Sequence, residues 1–159
     1  MDPVWHTFRL AAGELYLKFT QGLAALIFFA SAAIAQTQSL VARDAWVRAT
    51  PGVDMAAAYV TLRNVSQKAV TVTAVESPVA GHAMIHETRV QGGLSRMRPH
   101  EQLVVGPGTT VKFEPGGLHV MLHDLKQPLT VGQNVPLILT LAGGGTLTVM
   151  ATVRPLSAE

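Results

Sequence analysis

The sequence predicts an all-β fold, a Greek-key sandwich or barrel, on three observations. Apolar and polar residues alternate with period two in short segments, as they do in strands with one buried face. Clusters of Gly, Pro and Asn divide those segments, supplying the backbone conformations that tight turns need. Beyond residue 35 no stretch carries a convincing amphipathic helical period.

Taken in order, the expected strands are Ala45–Ala49, Ala57–Arg63, Ala69–Glu76, His82–Thr88, Gln102–Val105, Thr110–Phe113, Leu118–Leu122, Val135–Leu141 and Thr146–Val153. Turns are expected at Thr50-Pro51-Gly52, Asn64-Val65-Ser66, Gly92-Gly93, Gly106-Pro107-Gly108, Pro115-Gly116-Gly117 and Gly143-Gly144-Gly145. The triple glycine precedes a strand, so it reads as a hairpin turn and not as a phosphate loop, which would open a helix.

The chain's 159 residues suffice for one domain of ordinary size. Its start reads differently from the rest: Arg9 and Lys18 precede an apolar run from Phe19 to Ile34, closed by Ala33-Ile34-Ala35. That is the small-x-small pattern of a signal peptide. Residues 1–35 are therefore expected to be a signal peptide cleaved after Ala35, with residues 36–159 as the mature domain, exported to the periplasm. The rival reading is a retained anchor, but the apolar run is shorter than the roughly 20 residues that span a bilayer.

The chain has no cysteine, which excludes thiolate zinc sites, iron–sulfur clusters, thiol redox chemistry and blue-copper electron transfer. A domain that could have used disulfides must be held by its core. The formal charge is only +2. With no basic run and no aromatic ladder, nucleic acid is not an expected partner.

Two short histidine clusters carry the chemistry. In His82-Ala83-Met84-Ile85-His86 and again in His119-Val120-Met121-Leu122-His123, strand alternation puts both histidines and the methionine on one face and the aliphatic residues on the other. A His-x-Met-x-His face suits neither a core nor a solvated strand, but it suits a soft metal. Imidazole serves copper, zinc, iron and nickel, whereas thioether sulfur favours Cu(I). A helical zinc pair at His82 and His86 is disfavoured, because Ala83 stands where a general-base Glu is needed. Met97, between Arg96 and Arg98-Pro99, has a loop-like setting in which a buried core role is not expected.

At these residues the sequence resembles the PCuAC family of periplasmic copper chaperones. That family's motif is a His, ten residues, a Met, twenty-one residues, then His-x-Met; here His86, Met97, His119 and Met121 stand at those separations. The resemblance extends through Ala45-Trp46-Val47-Arg48, Ala57-Ala58-Tyr59-Val60, Asn64, His86-Glu87-Thr88, Met97-Arg98-Pro99 and Gly116-Gly117. It implies a cupredoxin-like β-sandwich in which His86, Met97, His119 and Met121 bind Cu(I), with a loop and two strand faces meeting at one end. The implied role is delivery of copper to the Cu(A) centre of cytochrome c oxidase, with the oxidase's copper-bearing subunit or another copper chaperone as partner and the protein a monomer. The sequence departs from the family pattern at His123, where Met is expected, and at Met84, where an acidic residue is common. His82, Met84 and His123 either hold a second ion or are ordinary rim residues.

A copper buffer without a dedicated acceptor is the alternative function, since the same ligands serve both. No enzyme activity is expected: Glu87, Glu101 and Asp124 read as isolated surface carboxylates and not as an acid–base cluster. A purely adhesive sandwich would leave the His/Met spacing unexplained.

Overall fold

The computed structural model describes residues 39–50 and 52–155; the expected signal peptide, its cleavage point and Pro51 of the first turn lie outside them. Ten strands follow in order: β1 (Leu40–Ala49), β2 (Ala56–Asn64), β3 (Val70–Glu76), β4 (Ala80–Gln91), β5 (Leu94–Pro99), β6 (Leu103–Val105), β7 (Thr110–Lys112), β8 (Leu118–Leu125), β9 (Asn134–Leu141) and β10 (Thr146–Arg154). The all-β expectation holds, and all nine expected strands have a counterpart.

The strands pair in the order β5-β4-β8-β2-β1-β10-β9-β3-β6, with β7 also on β2. β2 lies along β1 on one edge, while its other edge is shared by β8 at Ala56–Ala58 and β7 at Thr61–Arg63. The β1–β10 pairing is parallel, unlike its neighbours, and joins two antiparallel halves into a sandwich. Alternation is clearest in β10, where Leu147, Val149, Ala151 and Val153 are buried and the intervening residues are exposed. These side chains share one core with Val47, Leu62, Val72, Val120, Leu122, Val135, Leu137 and Leu139.

Three differences from the expected elements concern β1, β8 and β5. β1 begins at Leu40, five residues before the expected Ala45, because a register shift between Arg43 and Trp46, with Asp44 at a φ of 53°, interrupts the alternation. β8 runs on to Leu125, beyond Leu122. β5 was not expected at all: every one of its residues is exposed, so no period-two burial signal marks it. It forms because Gly92 and Gly93, with φ of 61° and 78°, make a two-residue turn that returns the chain along β4 with Gln91 opposite Leu94.

Asn64, the last residue of β2, ties that strand to β6 at the far end of the pairing order. Its side chain is fully buried, and Nδ2 donates to the carbonyls of Val105 in β6 (2.9 Å) and Lys68 (2.7 Å). Oδ1 accepts from the Ser66 amide (2.9 Å) and hydroxyl (2.8 Å). Asn64→Ala strands a buried carbonyl on β6 and releases the Asn64-Val65-Ser66 turn. An expected loss of about 2–4 kcal/mol follows from unsatisfied buried polar groups, read as a lower urea midpoint with an unchanged slope.

Candidate metal centre

β4 and β8 are antiparallel, and their register sets His82 opposite His123, Met84 opposite Met121, and His86 opposite His119. Directly opposed residues in a sheet share a face, so the two His-x-Met-x-His runs form a panel of three cross-strand pairs. Ala83, Ile85, Val120 and Leu122 point the other way, into the core. The panel thus occupies the outer face of the sheet.

Met97 joins the same face from β5. It lies opposite Thr88 of β4, two residues from His86, whose own partner is Pro99. Met97 therefore sits on a strand, not in the loop-like setting its neighbours suggested, and the four candidate residues share one sheet face. His86, Met97, His119 and Met121 occupy adjacent positions across three strands, with His86 in the middle strand. Exposure falls across the set: Met97 is 50% exposed, His86 and Met121 are half-buried, and His119 is 5% exposed.

The turn before β8 sets the chemistry of His119. Glu114-Pro115-Gly116-Gly117 closes with the Gly117 amide donating to the Glu114 carbonyl at 3.0 Å. Pro115 fits its second position, and Gly116, with a φ of 80°, its third. The Gly117 carbonyl then accepts from the Thr88 amide of β4 at 3.0 Å and from His119 Nδ1 at 3.0 Å. A carbonyl only accepts, so Nδ1 carries the proton and the Nε2 lone pair is left for a metal. Sequence reasoning read this turn but had no signal for its carbonyl.

His86 contributes differently. Its Nδ1 is buried and meets no hydrogen-bonding partner among the described residues, a costly state for a polar atom unless something else fills it. The ring lies 5.8 Å from that of His119 and 6.2 Å from that of His123. Burial, followed by repulsion from His119 and His123, holds its pKa below the ordinary value, so it is neutral, as a metal ligand must be, at neutral pH. Among the described residues no three histidine or carboxylate side chains are grouped to hold a metal ion.

Two of the three carboxylates read as isolated, Glu87 and Asp124, have partners. Glu87, on the face opposite the panel, accepts from Arg89 Nη2 at 2.9 Å and lies 3.4 Å from His100 Nε2. The hydrogen bond from Arg89 is the main cause holding its carboxyl below the usual range. Asp124 Oδ2 lies 3.3 Å from His82 Nδ1.

Beyond the panel the same outer face continues into an aromatic group. Trp46 and Tyr59 lie with ring centroids 4.4 Å apart. The guanidinium groups of Arg48 and Arg154 lie 5.5 Å and 5.2 Å from the Trp46 centroid.

Fold and panel together define a β-sandwich of the PCuAC type. The copper-bound PCuAC domain from PmoF2 has this fold, at 22% identity with a TM-score of 0.62, covering 74% of this chain and 93% of that one. The solution structure of CuI-DR1885 from Deinococcus radiodurans is 36% identical, with a TM-score of 0.58, covering 72% of this chain and 76% of that one. The chain belongs to the LpqE-like family, described as "Putative lipoprotein LpqE-like", whose model matches residues 40–153. A relative named "Putative lipoprotein Lxx21020", from Leifsonia xyli subsp. xyli (strain CTCB07), is 31% identical over 123 residues, 77% of this chain and 74% of its own length.

Proposed function

We propose that this protein is an exported copper carrier that binds one Cu(I) through His86, Met97, His119 and Met121 and hands it to an acceptor, the Cu(A) centre of cytochrome c oxidase. The observation that carries the reading is the strand register, in which two imidazoles with available lone pairs lie beside two thioethers on one face. The absence of a three-member histidine/carboxylate group among the described residues favours a soft ion over zinc. The copper-bound state of the 36% identical relative supports the same cargo, and the lipoprotein descriptions of family members support export.

The role is carriage and not catalysis. Two neutral nitrogens and two neutral sulfurs hold Cu(I) without the strong bond a thiolate makes. The graded exposure from His119 to Met97 gives an acceptor's ligand an approach at the Met97 side while the buried imidazole still holds. Copper passes through an intermediate in which donor and acceptor ligands are shared.

Protons compete for the same lone pairs. Because the His86 pKa is lowered, affinity is expected to be level near pH 7–8 and to fall only as pH drops below the ordinary imidazole value of about 6.5. The sign for the apo fold agrees: an imidazole kept neutral in the fold contributes stability above the unfolded pKa and loses it as pH falls. Anaerobic Cu(I) titration against a chromophoric competitor across this range tests the proposal. One tight equivalent, released on acidification, is the expected result; no tight equivalent, or one indifferent to pH, overturns it. Direct transfer to a copper-free Cu(A) domain, faster than release to a chelator, separates a carrier from a buffer.

A further inference from the structure

Three soft donors of the panel are left over by that reading, and their surroundings are built. His82 and His123 are a directly opposed pair with rings stacked at 5.0 Å and 17°. Met84 is exposed two residues along β4 on the same face. The His82 side chain is 57% exposed, and His123, stacked on it, is half-buried.

Asp124 is held in place for one of them. It follows His123 and sits opposite Gly81, a position that strand alternation would turn toward the core side. Its φ of 53° is uncommon for a residue other than glycine. Its carboxylate instead reaches His82 on the panel face, Oδ2 to Nδ1, at 3.3 Å. Room for this comes from Gly81, where a Cβ would stand 2.9 Å from the Asp124 Cβ. A carboxylate this near Nδ1 favours the tautomer with its proton there, which turns the Nε2 lone pair of His82 outward, as in metal-binding histidines oriented by a carboxylate.

We propose that His82, His123 and Met84 form a second, weaker Cu(I) site at the solvent-facing end of the panel, with Asp124 as the positioning residue of His82. The inference rests on the copper reading above. The two sites adjoin through the Met84–Met121 pair and the 6.2 Å approach of His86 and His123. Copper can therefore step along the panel from the exposed pair to the buried one without leaving the protein. Two imidazoles and one thioether make a poorer cage than two of each, and the site is open to water, so its affinity is the lower one.

The test is anaerobic titration of the protein with Cu(I) alone against competitors of graded strength. The comparison includes wild type, the pair His82→Gln/His123→Gln, Asp124→Asn and Met97→Ala, each checked for fold by circular dichroism. Wild type is expected to bind a tight and a weaker equivalent. The paired substitution should remove the weaker one and leave the tight one, and Asp124→Asn should weaken the second equivalent about ten- to a hundredfold. Wild-type saturation at one equivalent, or a second equivalent that survives the paired substitution, overturns the second site. Met97→Ala judges the first site separately, since it should weaken the tight equivalent at least about tenfold and spare the weaker one. If the paired variant loses its fold, Asp124→Asn decides: an unchanged second equivalent overturns the assignment.

Discussion

His119→Ala is expected to lower the affinity of the tight Cu(I) equivalent by about a hundredfold or more, measured by competition with a chromophoric Cu(I) chelator. Loss of an outer partner of a ligand already weakens metal sites ten- to a hundredfold, and His119 would be a ligand itself. Because it is 5% exposed, its removal also opens a cavity, and some loss of stability accompanies the loss of copper. Met97→Ala separates the two effects. Met97 is 50% exposed on a strand whose residues are all exposed, so its truncation should change stability by no more than about 0.5 kcal/mol. It should nevertheless lower Cu(I) affinity by at least about tenfold. Affinity unchanged in both variants would remove these residues from the ligand set.

Trp46→Ala is expected to destabilise the fold by about 3–5 kcal/mol, the range for deleting a buried aromatic side chain. Trp46 is buried against Tyr59 at 4.4 Å, with two guanidinium groups over its ring. Because β1 bridges the two halves of the pairing order, the loss falls on the strand that joins them. Urea unfolding followed by far-ultraviolet circular dichroism measures it. A change under about 1 kcal/mol would show that the aromatic group decorates the face without stabilising it.

How far the sequence was legible depends on which property of a residue carried the information. Strand alternation is a backbone property, so it revealed the shared face of His82, Met84 and His86 and that of His119, Met121 and His123. It could not reveal that these faces oppose one another pair by pair, because register between distant strands is set by their full tertiary pairing. β5 escaped because a strand exposed on both faces has no burial pattern, and Met97 was misplaced with it. The Gly116 turn was visible as a turn, whereas the second use of the Gly117 carbonyl exists only once β4 is alongside. Asp124 was correctly read as a surface carboxylate but wrongly as an isolated one, because nothing in the composition around it announces a positive φ or the missing Cβ at Gly81.

β5 also has a bearing on how the protein can move. It stands at one end of the pairing order, bonded on one side to β4, and contributes nothing to the buried core. Strands of that kind detach at a small fraction of the global unfolding free energy, whereas β8 cannot leave without exposing Val120 and Leu122. Fraying at the hairpin can carry Met97 away while His119 stays fixed, so one part of the panel can breathe on a fast clock beside another that is frozen for the lifetime of the fold.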